Sequence, residues 1–232
     1  MPTTPTAHPL APLPLAPLPA APLPAAPLPA ATAQAERLIA LGVPGIAGLD
    51  PAELRAAAGT LPPGALLVVH PDRAPVSALA PLLELDGRPG FVVEDMTDVD
   101  AFGPAGGVEL PADAVYAVTG LDRGDGMRNW SPDEALPALG AAGRTPLTLG
   151  EGVHWLLQCP EVLERNACFM TVGSRLRKSD GRLDARTPAL WISNGTGRDG
   201  RERRGAPKVG WCWAGNRHTW LGIASAAARV PR

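Results

Sequence analysis

The sequence predicts a mixed α/β (α+β) domain in which short N-terminal strands and helices lead into an antiparallel, tryptophan-rich C-terminal sheet. Three observations carry that expectation. Two capping boxes, Ser131-Pro132-Asp133-Glu134 and Thr148-Leu149-Gly150-Glu151, open apolar segments and mark helix starts. Short runs rich in β-branched residues and bounded by Pro or Gly, at 65–70, 90–95 and 114–120, read as buried strands. The last third alternates apolar strings with Gly, Asn and Arg turns, and all six tryptophans follow residue 129.

Taken in order, the chain opens on a composition of its own. Of 28 prolines, 11 fall in the first 31 residues, where APLPA recurs with a period of five. Proline at that density removes backbone donors and blocks helix, so residues 1–31 are predicted to be a disordered Pro/Ala/Leu-rich tail, and 32–232 a single domain. A PxxP ligand usually needs a flanking cation, and the first charged residue is Glu36, so the tail is read as dispensable. Thr32 is the expected cap of a helix over AQAERLIAL that closes at Gly42. Asp50-Pro51-Ala52-Glu53 starts a second helix, with cap, Pro at the first helical position and a reciprocal Glu, ending at Gly59. VSALAPLLEL is helical only until Pro81 breaks it. The two capping boxes predict helices near 132–142 and 149–158, and CFMTV, PALWIS, KVGWCW and TWLGIAS supply the C-terminal sheet.

Net charge is −2, which does not describe a basic nucleic-acid binder. No proline-free run of 18 apolar residues occurs, so no membrane span is expected, and residues 1–35 lack the Lys or Arg of a secretory leader. Three cysteines, Cys159, Cys168 and Cys212, suit a reduced cytoplasm better than a disulfide framework. Charge is nevertheless uneven. Residues 36–115 hold 4 basic and 12 acidic side chains, whereas 165–232 hold 14 and 4. The two regions could dock on one another, or the basic one could face an anion, with nucleic acid disfavoured but left open. RDGRERR (198–204) reads as a solvated loop.

Most motif spellings dissolve on inspection. The GxGxxG at Gly195 is followed by RERRGAP and not by a helix, so no dinucleotide site is expected. His154, His218 and the cysteines lack paired ligand spacing, so no metal site is assigned and no cofactor is implied. Cys212 lies between Trp211 and Trp213 and reads as an inert buried thiol; pairing it with His218 as a nucleophile is the catalytic version of the same residues. The tryptophans read first as core of the C-terminal sheet, and otherwise as a stacking platform.

Two functional readings stay open. The first is a noncatalytic module binding a small or anionic ligand through Asn216, Arg217 and His218 of the turn between the last two strands, joined by Asn129 and Arg144. The second is an enzyme, with a divalent cation as its possible aid. Its residues are His70, Asp72, Glu94, Asp95 and Asp122, which follow three strand candidates and would share one edge if those strands were parallel neighbours.

LDRGDGMRNWSPDEALP, GRTPLTLGEGVHWLLQCPEVLERNACFM, PALWIS and KVGWCWAGNRHTWLGIAS, with LLVVHP and GFVVEDMTDVDAF upstream, resemble a bacterial family common in high-GC actinobacteria and known as a domain of unknown function. The likeness covers roughly residues 33–228. It implies a cytosolic single-domain protein and no particular activity. Its members often carry cysteines after SR and after AS, where this chain has Leu176 and Ala226, so a metal site built on them does not carry over. RDGRERR is similar to an insertion relative to that pattern.

Overall fold

The structure is a computed structural model that describes residues 27–232; the first 26 residues of the expected tail lie outside the described residues. Packing begins before the expected end of the tail at residue 31: Leu28 already packs on the core and Pro29 O accepts from Gln34 Nε2 at 2.9 Å. Helix α1 (Ala31–Ala40) takes Ala30 as its N-cap and leaves Thr32 inside the helix. The buried Gln34 side chain supplies the reason. It also donates to Ala65 O and accepts from Leu67 N–H, both at 2.9 Å, so bonds to the sheet position the helix start where a Thr32 cap would have set it two residues later. Gly42, with φ 76°, starts the short α2 (Val43–Ala47). In α3 (Pro51–Ala58) the expected box is present: Asp50 accepts from Ala52 N–H and Glu53 from Asp50 N–H, each at 2.7 Å.

The strands and helices that follow are β1 (Leu66–Val69), α4 (Val76–Leu79), β2 (Glu84–Leu85), β3 (Arg88–Pro89), β4 (Phe91–Val92), β5 (Phe102–Pro104) and β6 (Val115–Thr119). After them come α5 (Pro132–Ala141), β7 (Thr145–Pro146), α6 (Leu149–Gln158), β8 (Cys168–Met170), β9 (Ser174–Leu176), β10 (Arg186–Ile192), β11 (Pro207–Trp213), β12 (Leu221–Ile223), β13 (Ser225–Ala226) and β14 (Ala228–Val230). Both capping boxes of the second half open the helices expected of them.

Hydrogen bonding divides these strands into two principal sheets. One has the order β1-β6-β14 and is antiparallel throughout. The other has the order β12-β8-β10-β11-β4, with antiparallel pairing at its centre and parallel pairing at both edges. Its spine is the seven-residue pairing of β10 with β11, from Arg186↔Trp213 to Ile192↔Pro207. Two-stranded ribbons β5-β9, β7-β13 and β2-β3 complete the pairing.

Helix α6 seats on the central sheet through Gly152. A methyl there would stand 2.7 Å from Leu190 Cδ1 and from Thr171 Cγ2, so only glycine permits this approach. One turn later Trp155, fully buried, tilts against Phe169 with centroids 5.4 Å apart. Of the six tryptophans Trp155 alone is fully covered. Trp130, Trp191, Trp211 and Trp220 are half-buried against the core, and Trp213 keeps 48% of its surface. The tryptophans therefore act mainly as core and wall.

The uneven charge is largely consumed internally. Asp98 takes two bonds from Arg186, at 2.9 and 2.7 Å, and they hold its carboxyl below the usual carboxylate pKa. Arg198 pairs with Asp95 at 3.1 Å, and Arg203 reaches Glu94 at 3.6 Å while covering the Phe91 ring. The 198–204 loop thus lies against the acidic 94–95 stretch, and the GxGxxG leads into two 3₁₀ turns, with no α-helix at the glycines. Among the described residues no helix is long and apolar enough to cross a membrane.

Candidate functional site

The most heavily built polar region is the head of α6. Thr148 and Glu151 form the reciprocal cap, with Glu151 Oε2 accepting from Thr148 N–H at 2.8 Å. Glu151 is wholly buried and takes three further bonds: Arg229 Nε at 2.6 Å, Arg229 Nη2 at 2.7 Å and Tyr116 OH at 3.1 Å. Arg229, from β14, also donates to Pro146 O and Thr145 Oγ1. Burial, with the Glu151 charge beside it, pushes the Tyr116 hydroxyl well above its usual pKa, so it stays a donor. The sequence marks Glu151 as a cap; it gives no signal that Arg229, some eighty residues later, is its counter-ion.

His154 lies one turn on. Its Nε2 accepts from Val69 N–H at 3.2 Å and its Nδ1 donates to Gly150 O at 2.8 Å, an arrangement that requires the neutral ring. Complete burial lowers its pKa to about 4, in agreement with that geometry. This histidine ties α6 to β1, and both of its nitrogens are occupied.

In front of the same helix end lies a cavity of about 110 Å³. Val76, Val99, Phe102 and Leu110 form its apolar wall, and Thr148, Gly150 and Ser174 its polar floor. Ser174, from β9, accepts from Leu149 N–H at 2.9 Å. The next amide, Gly150 N–H, has no acceptor among the described residues. Asp72 and Asp100 also line the cavity; Asp100 accepts from Ser77 N–H at 2.9 Å and from Ser77 Oγ. Ser174 has no sequence signature, since its place depends on β9 crossing the head of α6, whereas the free amide belongs to the first turn that the Thr148 capping box marks.

The acidic-edge residues do not assemble. Strands β1 and β6 are antiparallel neighbours, with Val69 opposite Val115, so His70 and Asp122 leave from opposite ends of their pair. Strand β4, which precedes Glu94 and Asp95, belongs to the other sheet. Glu94 and Asp95 face arginines of the 198–204 loop, and Asp122 accepts from Gly124 N–H at 2.8 Å. The condition of parallel neighbours fails because direct antiparallel pairing, completed by β14, satisfies these strands. His70 Nδ1 accepts from Asp72 N–H, and Asp72 alone of this set reaches the cavity. Among the described residues no three His, Cys, Asp or Glu side chains gather closely enough to hold a metal ion.

Most of the second set does come together. Asn129 N–H bonds His218 O at 2.8 Å, and Arg217 Nη1 donates to Asn129 O at 3.0 Å while Nη2 bonds Glu134. Asn216 lies in the same turn, its N–H on Trp213 O. Arg144 is separate: it donates to Ser225 Oγ at 2.8 Å and Gly120 O at 2.7 Å, joining the end of β6 to β13. The Arg217 guanidinium is therefore committed to the protein's own groups. Burial raises the Cys212 and Cys159 thiols to about 11, which opposes a nucleophilic thiolate at either position.

The model of a family of unknown function, DUF5701, matches residues 37–232, and the chain belongs to that family. No curated protein and no solved structure matches it.

Proposed function

We propose that this member of the family binds a small ligand, without turnover, in the cavity at the head of α6. The observation that carries the reading is a volume of about 110 Å³ with apolar walls and a few convergent polar groups at a helix N-terminus. A dry cavity of ~150 Å³ holds benzene, so this one suits a molecule of roughly five non-hydrogen atoms. At a ceiling of ~1.5 kcal/mol per atom such a ligand binds no more tightly than about micromolar. Gly150 N–H asks for a carbonyl or hydroxyl acceptor. Asp72 and Asp100 at the same site disfavour an anion, so the ligand is a short neutral amide, ketone or alcohol. Ser174 accepts from Leu149 N–H, and among the described residues no histidine or lysine lines the cavity, which favours binding over chemistry.

Ligand-observed NMR with short amides, ketones and alcohols tests this. Gly150→Ala keeps the fold, because the added methyl meets only Pro71, at 3.9 Å, and narrows the space. Saturable binding that is lost in Gly150→Ala and in Leu110→Trp is expected. Binding indifferent to both, or none at millimolar ligand, overturns the reading.

A further inference from the structure

Strand β9 separates two polar environments. Alternate residues of a strand face opposite ways, so Ser174 meets the head of α6 while Arg175 points to the other side. The Arg175 side chain is only 5% exposed. Its Nη2 donates to Asp184 O at 2.8 Å, its Nη1 lies 3.8 Å from Asp133 Oδ1, beyond hydrogen-bonding distance, and its Nε–H meets no acceptor among the described residues. The Asp184 carboxylate is spent on Arg186. A buried guanidinium is ordinarily matched by a carboxylate in contact, as Arg229 is by Glu151. Arg175 is not.

Register brings a second orphan beside it. Asp184 N–H bonds Leu176 O at 2.8 Å, which sets Arg175 opposite Ala185. Thr187, two residues on, therefore shares the face of Arg175. Thr187 is fully buried, and its Oγ1 has no partner among the described residues. Across the sheet Thr187 pairs with Cys212, whose thiol is neutral, and Ala185 O accepts from Ala214 N–H. Ala214 O in turn accepts from Asp133 N–H in the first turn of α5. Four chain segments thus converge on one spot: β9, β10, the end of β11 and the positive end of a ten-residue helix. Every unmatched group there is a cation or a donor, except the Asp133 carboxylate, which is 63% exposed.

We propose that the buried face beside the head of α5 is a binding site for a small oxyanion, a carboxylate or a phosphate group, held by Arg175 Nε–H and the Thr187 hydroxyl; the amides of the helix end are spent on Ser131 and Ala214 O. Asp133 occupies the approach and yields to the incoming anion. This site lies across β9 from the α6 cavity and does not depend on the reading given to it.

Thermal denaturation of the full chain at constant ionic strength, with sodium phosphate or sodium acetate replacing sodium chloride, tests the proposal and separates the two anion classes. At least one of them raises Tm saturably, and chloride does not. Asp133→Asn removes the competing carboxylate and lowers the half-saturating concentration several-fold. Arg175→Gln abolishes the response; should that variant fail to fold, Thr187→Val, which keeps the side-chain volume, weakens it several-fold instead. No saturable shift in either the natural chain or Asp133→Asn overturns the proposal. So does a shift that Thr187→Val leaves unchanged, or a crystal soaked in both salts that shows only water bridging Arg175 Nε and Thr187 Oγ1.

Discussion

The two helix heads on either side of β9 begin with the same device and end in opposite conditions. Ser131 with Glu134 and Thr148 with Glu151 are both complete capping boxes. Glu134 remains 43% exposed and holds Arg217 at the surface, its pKa lowered first by the Ser131 N–H. Glu151 is inaccessible and holds Arg229 in a pair that lacks no partner, while at the α5 head the buried cation, Arg175, meets a carboxylate only at 3.8 Å, in the exposed Asp133. A cap is thus a local bond whose energetic weight depends on what the rest of the chain lays over it. Where the covering is complete the head is a structural lock; where it leaves donors unmatched it can accept something from outside.

Breaking the lock has the largest expected effect. Arg229→Ala strands the buried Glu151 charge and costs roughly 3–5 kcal/mol by denaturant unfolding. Adding Glu151→Gln to it recovers part of the loss, because the stranded charge is gone and the cap to Thr148 N–H survives. Equal losses in the single and double variants would show that Arg229 acts by packing alone.

His154 sharpens the same contrast through pH. The unfolded chain protonates it near 6.5, the folded chain not until about 4. Its contribution is therefore complete above pH 6.5 and is lost as the pH falls through that window, reaching about 3 kcal/mol by pH 4. A stability profile of His154→Gln is expected to be flatter than that of the natural chain between those limits; parallel profiles would remove the histidine from the account.

Two glycines of α6 provide a smaller contrast with opposite signs. Gly152→Ala drives a methyl into Leu190 and Thr171 and costs about 1–3 kcal/mol. Gly150→Ala has room and gains roughly 0.5–1 kcal/mol in melting experiments, because alanine gives up less conformational freedom in a helix. The smallest effect belongs to the exposed head: Glu134→Gln leaves Tm close to that of the natural chain, far from the change that Glu151→Gln produces on its own.

Much of this fold is legible along the chain because its signals are local. Asp50, Ser131 and Thr148 carry their caps within four residues, and LLVV and VYAVT are strands by composition. The GFVVED run shows the limit. It forms only the two-residue β4, since its next residues turn away to face the 198–204 arginines, and composition does not reveal that partner. The candidate sites are barely legible in the sequence: Asp72 lines the α6 cavity and not the acidic edge expected of it, Asn129, Asn216, Arg217 and His218 gather outside both sites, and Ser174, Arg175 and Thr187 carry no motif.

Helix starts, strand segments, the Pro-rich leader's distinct composition and the opposed charge of the two ends all follow from short-range chemistry, because capping, β-branching and charge act over a few bonds. Which strands pair, which of two identical caps is buried, and which arginine finds a carboxylate are decided by contacts between residues far apart in the chain. Those contacts are chosen by collective packing and hydrogen-bond satisfaction. Both candidate sites belong to that second class: each lies where segments up to a hundred residues apart meet, and a donor is left facing the gap between them.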